Sequence, residues 1–499
     1  MSENLYWKDK GGYFRTYIEN EFVQENAFLT RAPESAPLPR YADIAHQIVQ
    51  PVWEGHEDAI RMYHRCWEIA FGNVKQPTEG SGLISRYIMP TFNGHIFMWD
   101  SAFMTFFGPY ANGTFCFQKT LDNFYCKQHR DGFICREISE DTGEDQFHRY
   151  DPSGTGPNLF AWAEMEYYCR SGDLNRLNSV FPVISGYHRW LRKFRTWQDG
   201  SYYASGWGCG MDNQPRFRTD EPFEFFHGFL SWIDVTCQQI LSAKKLVEMA
   251  RILHRDKDAE EFAQEAEKLT HLVNNTMWND KIRFYADKFS DGTLSDVMSV
   301  GSYWALLAGI VPKDRLASFV SHLTNENEFN RFHRIPTLSA ASAYYHEEGN
   351  YWQGGVWSPT NYMVLRGLRA NGLENLAYEI AENHFSRVLN IFNATGTLYE
   401  NYSPEHLRKG NISCADFVGW TGLSAINIFI EFILGIEINV PQRVINWHIR
   451  QSEKHGIEKF RISPDQEITL LCEKRSNPSE TPVITCISTA GFQVNTFID

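Results

Sequence analysis

Paired helical segments repeat along most of this chain, and they constrain its fold more than any other feature. Apolar residues recur every three or four positions from Ile233 to Ala250, and again from Ala259 to Val273. A polar break at 255–258 separates the two series, so the spacing predicts a helical hairpin. Similar helices can be drawn at 42–72 with 100–127, 157–170 with 174–196, 297–309 with 313–324, 355–371 with 373–390, and 421–434.

These segments approach twelve helices between residues 41 and 436, and some are apolar on more than one face. Gly422 to Leu434 is one such segment, and a helix that faces solvent does not have that pattern. A two-layer ring of helices buries it. No fixed-period repeat is visible, which disfavours a solenoid.

The two ends of the chain differ from this helical region. Short runs with β propensity, separated by Pro, Asn, Ser and Gly, fill residues 437–499 and predict a small β-rich segment. Residues 1–40 precede the first helical pattern, and we expect them to form an extension that packs on the helices.

Charge excludes several classes of partner. The formal net charge is −14, and the basic residues form no stripe, which argues against nucleic acid and anionic membranes as partners. The most apolar run, 423–440, is interrupted by Asn427, Glu431 and Glu437 and does not predict a membrane span. A small neutral or polar ligand suits the chain better. Aromatic residues make up 15% of the chain, and this content needs an explanation.

Ten cysteines are scattered without a CxxC pair or a zinc-binding spacing. They have the pattern of small buried apolar residues, and no metal or organic cofactor is expected. The first residues show no charged-then-apolar leader. Together these features predict a cytoplasmic protein, and they leave the oligomeric state open.

The segment GWGCGMDNQPRF places Asp212 behind Gly206, Gly208 and Gly210, with Trp207 among them. A phosphate-binding loop is disfavoured, because no strand precedes the segment and it contains no lysine. Asp212 alone could simply stabilise its own turn. Beside glycines and an indole it gains a second interpretation, because a poorly hydrated carboxyl has the raised pKa that a general acid requires.

Two further carboxylates lie among aromatic residues. Glu400 stands between Tyr399 and Tyr402, and Asp100 follows Trp99 at a predicted helix start. A solvated loop glutamate and a first-turn helix acid are the plain alternatives. Two carboxyls in an aromatic site are what glycoside hydrolysis needs, one protonated and one ionised.

The stretch 349–368 adds Trp352, Gln353 and Trp357 ahead of an amphipathic helix, and Trp420 stands in a similar place. Aromatic residues at such spacing belong to a core more often than to a ligand site. These lie in loops at helix starts, where burial is not demanded. They are therefore candidate substrate contacts, together with Trp99, Asp100, Trp207 and Gly210.

Seven motifs in one order resemble the clan of (α/α)6-barrel glycosidases, which comprises glycoside hydrolase family 63, the trehalases, and the mannosylglycerate and glucosylglycerate hydrolases. They are WDSAF, DGFICREI, GPNLFAWAEM, GMDNQPRF, YWQGGVWSPTNYMVLRGL, YENYSPE and DFVGWTGL. The resemblance implies an all-α toroidal (α/α)6 barrel over 41–436 with the small β segment after it. It also implies an inverting α-glycosidase, of α-glucosidase type, acting on a short oligosaccharide or solute glycoside. Asp212 matches the general acid and Glu400 the general base.

The chain departs from the family pattern at a few positions. Relatives commonly carry an acidic residue and a serine where this chain has Gly208 and Cys209, and many have arginine at the place of Gln353. We expect these changes to affect the sugar and the aglycone.

Three other functions stay open at this point. A sugar epimerase uses a helical toroid with paired histidines, but none of the 17 histidines forms such a pair within these motifs. A polysaccharide lyase would bind a polyanion, which the net charge disfavours. A catalytically silent carbohydrate-binding protein would keep the aromatic residues, and the changes at Gly208 and Cys209 are what favour it.

Overall fold

A computed structural model describes residues 4–8, 14–18, 23, 25–91, 93–216, 230–463, 465–488 and 491–498. Its helices, in chain order, are α1 (Tyr41–Ile44), α2 (Glu57–Gly72), α3 (Met98–Phe106), α4 (Asp122–Tyr125), α5 (Phe160–Ser171), α6 (Leu174–Phe194), α7 (Gly206–Cys209), α8 (Ile233–Ile252), α9 (Asp256–Thr276), α10 (Trp304–Leu307), α11 (Lys313–Val320), α12 (Ser358–Ala370) and α13 (Glu374–Thr395), followed by a π-helix (Leu423–Ile433).

The helices form two concentric rings. In the inner ring each helix contacts the next, in the order α3, α5, α8, α10, α12 and the π-helix. The π-helix in turn contacts α3, so the ring closes. The helices that alternate with these along the chain, α2, α6, α9, α11 and α13, form the outer ring, which the segment around α4 completes. This is the predicted (α/α)6 barrel.

Aromatic side chains fill the centre of the inner ring. Trp162 of α5 contacts Phe106 of α3, with ring centroids 4.5 Å apart, and meets Trp304 of α10 edge-on at 5.9 Å. Tyr362 of α12 stacks on Trp162 at 6.3 Å. Packing between rings of this size stabilises a core through dispersion and burial, which explains much of the aromatic content.

Buried charges tie three inner helices together. Arg366 of α12 donates to both carboxylate oxygens of Glu166 on α5, at 2.7 and 3.0 Å. Glu431 of the π-helix accepts from Tyr110, from Tyr362 at 2.8 Å and from Arg170 at 3.2 Å. Each buried charge therefore has an opposite charge or a hydroxyl donor.

Three predicted helices are shorter in the structure. The helix expected at 42–72 begins at Glu57, because Gln50–Trp53 is a strand. The helix expected at 100–127 ends at Phe106, since Gly108 and Pro109 start a 3-10 turn. At 297–309 only Trp304–Leu307 is α-helical.

The strands are β1 (Asn4–Lys8), β2 (Phe14–Ile18), β3 (Gln50–Trp53), β4 (Val74–Lys75), β5 (Tyr87–Ile88), β6 (His95–Phe97), β7 (Glu137–Ser139), β8 (Leu230–Ser231), β9 (Trp278–Asn279), β10 (Phe284–Tyr285), β11 (Lys288–Phe289), β12 (Ile436–Asn439), β13 (Val444–His448), β14 (His455–Ser463), β15 (Gln466–Cys472), β16 (Ile484–Ser488) and β17 (Gln493–Phe497). The last six confirm the β-rich C-terminal region. They form a three-stranded sheet, β12-β13-β17, and part of a four-stranded sheet, β16-β15-β14-β3.

The second of these sheets crosses the predicted boundary between barrel and C-terminal segment. Strand β3 lies in the range assigned to the barrel, yet it pairs antiparallel with β14, with Trp53 opposite His455. The division at 1–40, 41–436 and 437–499 stays a proposal. Toward the N-terminus, Phe28 is buried against Tyr125, with ring centroids 5.2 Å apart.

Among the described helices, none combines the length and apolar character that a membrane crossing demands.

Candidate active site

A cavity of about 430 Å³ lies among the loops at the starts of several inner helices. Of the ten predicted site residues, eight line it: Trp99, Asp100, Trp207, Gly210, Asp212, Trp352, Glu400 and Trp420. They come from five separate stretches of sequence, which the barrel brings together. Their individual roles stay predictions.

The loop that carries Asp212 is built around a short helix and a glycine. Ser205 caps α7, because its hydroxyl oxygen accepts from the Gly208 N–H at 2.9 Å. Gly210 then adopts φ of +81°, in the left-handed region that glycine tolerates best. A Cβ on Gly210 would lie 2.8 Å from Cε3 of Trp99. Only glycine therefore lets this indole lie against the backbone two residues before Asp212.

Residues after Asp212 anchor the loop to the barrel. Arg216 is 1% exposed and lies between two carboxylates. It donates to Asp234 at 2.5 and 2.9 Å and to Asp287 at 2.6 and 2.7 Å. Gln214 donates to the Thr337 carbonyl at 2.7 Å. A buried guanidinium with two bidentate partners leaves the loop little freedom to move.

Glu400 is 8% exposed and receives two hydrogen bonds. The Cys414 N–H donates to Oε2, and the Tyr351 hydroxyl donates to Oε1, each at 3.3 Å. Burial raises the pKa of Glu400 to about 7, and the charge of Asp212 adds to the rise, whereas the two hydrogen bonds oppose it. Near neutral pH this carboxyl can therefore both release and accept a proton.

Asp100 lies in the first turn of α3, but it does not cap that helix, because the N-cap position is Phe97. Burial raises the pKa of Asp100 well above its usual value, and the nearby charges of Glu400 and Asp212 raise it further. The structure thus places three carboxyls close enough to affect one another, and they cannot all ionise at once without cost.

Indoles form one wall of the cavity. Trp352 meets Trp99 and Trp420 edge-on, with ring centroids 6.4 and 6.2 Å apart. Trp207 stands elsewhere on the lining, where its ring lies 5.6 Å from Phe147. Flat apolar faces beside carboxyls suit a sugar, which has C–H faces and a rim of hydroxyls.

Two of the predicted contacts, Gln353 and Trp357, do not line the cavity. Trp357 is fully buried and stacks on the back of Trp352 at 3.9 Å, with the two rings nearly parallel. Gln353 donates to the Asn213 carbonyl at 2.8 Å. Trp357 therefore supports Trp352, which lines the cavity, and Gln353 holds the residue that follows Asp212.

Sequence reasoning missed several lining residues, among them Arg136, Glu137, Phe147 and Tyr351. Arg136 lies over the ring of Phe147 at 4.7 Å and pairs with Glu137 at 3.3 Å. Glu137 also contacts His95 at 2.7 Å. For the first three, the available signal was the long loop after residue 131, which combines glycine, aromatic and charged residues without helical periodicity.

The departures at Gly208 and Cys209 lie outside the lining. A Cβ on Gly208 would stand 2.8 Å from the Pro152 carbonyl oxygen, so this backbone leaves no room for the acidic side chain of relatives. Cys209 is buried, and its sulfur receives the Met211 N–H at 3.4 Å. Both residues therefore affect the conformation of the loop and do not face the cavity.

One close histidine pair exists in the described residues, away from the cavity lining. His333 Nε2 and His384 Nδ1 are 3.0 Å apart, and both rings are fully buried. Burial lowers the pKa of His384 to about 3. A neutral pair with no access to the cavity cannot act on a substrate there, which weighs against the epimerase.

The carboxyls of the cavity belong to no metal-binding cluster among the described residues. No group of three or more His, Cys, Asp or Glu side chains in this part of the chain is arranged to hold a metal ion. Among the residues that the structure describes, indoles and one arginine, Arg136, line the cavity with these carboxyls.

A closed double ring of helices with carboxyls and indoles in one cavity is the architecture of the (α/α)6 glycoside hydrolases. The sequence profile described as the mannosylglycerate hydrolase MGH1-like glycoside hydrolase domain matches residues 95–409, which is more than half of the chain. The chain belongs to this family and is a glycoside hydrolase of the family 63 type.

Relatives carry names consistent with this family. A probable mannosyl-oligosaccharide glucosidase of Schizosaccharomyces pombe is 27% identical over 51% of this chain and 34% of its own length. The mannosylglycerate hydrolase of Thermus thermophilus is 23% identical over 56% of this chain and 83% of its own. The chain thus spans about a third of the fungal relative.

Solved structures share the fold. The family 63 mannosylglycerate hydrolase from Thermus thermophilus in complex with glucose superposes with a TM-score of 0.58 at 17% identity, covering 74% of this chain and 99% of that one. A neutral trehalase from Saccharomyces cerevisiae gives 0.55 at 15% identity, covering 70% and 73%.

Proposed function

We propose that the chain hydrolyses a short α-glycoside, an α-glucoside in particular, with inversion at the anomeric carbon. The main support is that Asp212 and Glu400 line the same cavity, together with four indoles. A cavity of this size lies within the range of small-molecule sites and suits a short glycoside.

Asp212 is the general acid in this proposal and protonates the glycosidic oxygen. Glu400 is the general base and removes a proton from the water that attacks the opposite face of the sugar. The pKa of Glu400, about 7, supports this role, because a base is most effective when its pKa is near the working pH. The Tyr351 hydroxyl and the Cys414 N–H hold the carboxyl in one orientation.

The choice of glucose rests on the relatives. Two are named mannosyl-oligosaccharide glucosidases, and one solved neighbour holds glucose. The mannosylglycerate hydrolase makes a mannosyl solute the main competitor. We also place the activity in the cytoplasm, a location that suits a chain whose ten cysteines are all unpaired.

A panel of α-glycosides tests the proposal: trehalose, kojibiose, nigerose, maltose, isomaltose, α-glucosylglycerate and α-mannosylglycerate. Proton NMR should show that the sugar at the cleaved anomeric carbon is released as its β-anomer, since inversion converts an α-glycoside into a β-sugar. Asp212→Asn and Glu400→Gln should each lower kcat by about 1,000-fold or more while sugar binding, measured by calorimetry, persists.

Several outcomes would contradict this function. Release of the sugar at the cleaved anomeric carbon as its α-anomer would overturn inversion, and full activity in Asp212→Asn would overturn the acid. Binding without any turnover across the panel would favour the catalytically silent protein instead.

A further inference from the structure

Hydrogen bonds connect the loop of Asp212 to the loop of Glu400 through one intervening turn, residues 350–353. We propose that Asn213 and Tyr351 are positioning residues that fix the general acid and the general base relative to each other. The proposal rests on the function proposed above. Neither residue was expected from the sequence to have this role.

The first half of this connection is Asn213, which directly follows Asp212. Its Nδ2 donates to the Asn350 carbonyl at 3.1 Å, and its Oδ1 accepts from the Trp352 N–H at 2.9 Å. Its own carbonyl accepts from Gln353 at 2.8 Å. Three bonds therefore tie the residue beside the acid to both ends of the turn.

The second half is Tyr351, at the centre of the same turn. Its hydroxyl donates to Oε1 of Glu400 at 3.3 Å. Just beyond the turn, Val356 and Tyr402 exchange two backbone hydrogen bonds of 2.9 Å, which fix the loop that carries Glu400. The turn thus contacts the base directly and supports its backbone as well.

The backbone of Tyr351 has φ of +57°, a conformation that costs a non-glycine residue energy. Neighbours hold it there: its N–H donates to the Gly349 carbonyl at 2.7 Å, and its carbonyl accepts from Gly355 at 3.1 Å and from Trp357 at 3.2 Å. Such a conformation persists only where the surroundings determine it, and here it directs the hydroxyl at Glu400.

A fixed spacing matters for an inverting enzyme. The two carboxyls must leave room for one water and the sugar at once, and a displacement of about 1 Å can cost a factor of about 100 in rate. The acid and the base lie 188 positions apart in the sequence. Only contacts of the folded chain can set their distance, and the 350–353 turn makes contact with both loops.

The test is steady-state kinetics of Tyr351→Phe and Asn213→Ala with the best substrate of the panel. Tyr351→Phe removes a donor to ionised Glu400, so the acidic limb of the kcat/KM profile should move up by about 0.5–1 pH unit. Asn213→Ala should lower kcat about 10- to 100-fold with little change in KM, because positioning is lost and not binding.

The kcat of a double variant distinguishes positioning residues from residues with a merely structural role. If both residues fix the same spacing, the loss in kcat of Asn213→Ala with Tyr351→Phe should be smaller than the product of the two single losses. Two independent structural defects would multiply.

Matched controls remove similar bonds elsewhere. Tyr125→Phe removes a hydroxyl that donates to Glu164 at 2.8 Å. Asn123→Ala removes an amide that accepts from Ile84 at 2.9 Å and donates to Ser85 at 2.9 Å. Neither residue lines the cavity, so kcat and the pH profile should stay as in the native chain.

The proposal is wrong if Tyr351→Phe leaves the acidic limb of the pH profile in place and kcat within twofold of the native value. This variant alone decides the outcome if Asn213→Ala does not fold. If the proposal fails in this way, loss of turnover in Asp212→Asn and Glu400→Gln would leave the proposed function standing. If no member of the panel is hydrolysed, both proposals fall.

Discussion

The loop of the proposed acid and the loop of the proposed base are fixed by different forces. Beyond Asp212, Arg216 is buried between Asp234 and Asp287, so ionic hydrogen bonds hold that loop. Glu400 is held by two neutral donors at 3.3 Å. The first arrangement is strong and directional, whereas the second is weaker.

This difference has a chemical reason. A cation in contact with Glu400 would lower its pKa and make it a poor base. Among the described residues, the main influences on its pKa are burial, Asp212, Tyr351 and Cys414, and none of these residues carries a positive charge. Strong anchoring is thus placed four residues away from the acid, and the base keeps its affinity for a proton.

The largest expected effect comes from breaking the ionic anchor. Arg216→Met removes the cation that the buried carboxylates of Asp234 and Asp287 share, and it should lower the free energy of unfolding by about 3–5 kcal/mol, as measured by urea denaturation. Arg65→Met is the matched control, because Arg65 is partly exposed and pairs with Glu68 at 2.7 Å. That change should cost less than about 1 kcal/mol, and equal losses would contradict the comparison.

The pH dependence of activity follows from the neutral environment of the base. With a pKa of about 7, Glu400 is increasingly protonated as the pH falls. We expect kcat/KM to drop about tenfold per pH unit well below 7, so that pH 5 gives about 1% of the plateau rate. A profile flat from pH 5 to 8 would show that Glu400 is not the titrating base.

The pH dependence of stability should have opposite signs at two glutamates, the buried Glu400 and the partly buried Glu166. Burial alone raises the pKa of Glu166, but the charge of Arg366 outweighs it and lowers that pKa to about 2. Ionisation therefore stabilises the fold at Glu166, an effect present above pH 4.5 and lost as the pH falls toward 2. At Glu400 the raised pKa means that stability is lost as the pH rises from 4.5 through 7.

Glutamine substitutions test whether the ionised carboxylate stabilises or destabilises the fold at each of the two positions. At pH 8, Glu400→Gln should raise the free energy of unfolding by about 1–3 kcal/mol, and Glu166→Gln should lower it by about the same amount. At pH 5 the gain from Glu400→Gln should be small, because the native carboxyl is protonated there. Changes of the same sign at pH 8 would refute the electrostatic distinction.

The smallest effect is expected behind the acid loop. Cys209→Ser restores the residue common in relatives at a buried position outside the cavity lining. A hydroxyl can accept the Met211 N–H as the sulfur does, so kcat should stay within twofold and stability within about 1 kcal/mol. A tenfold change in kcat would mean that this departure alters catalysis.

The rings of helices were predictable where a clear period of 3.6 runs without interruption, as in α8 and α9. Prediction failed at Gln50–Trp53, because its partner strand lies about 400 positions away and leaves no local trace. The π-helix at Leu423–Ile433 could not be distinguished from an α-helix, since every side chain in it is buried. A helix that is buried on every face shows no single apolar stripe whose period would distinguish the two helix types.

The cavity was partly predictable for a similar reason. Asp212, Glu400 and the indoles stand in loops rich in glycine and aromatic residues, a composition that is visible locally. The contact of Tyr351 with Glu400 spans 49 positions and depends on a backbone conformation that sequence alone does not indicate. Gln353 and Trp357 look like their lining neighbours in sequence, and only packing separates them.

The pairing of β3 with β14 sets an order of events during synthesis. Residues 50–53 leave the ribosome early, but their partner at 455–458 follows some 400 residues later. Local helical hairpins can form while the chain grows, whereas this ladder closes only near the end of translation. Until then residues 50–53 lack the strand that pairs with their amides and carbonyls, so this edge stays open to pairing with another strand.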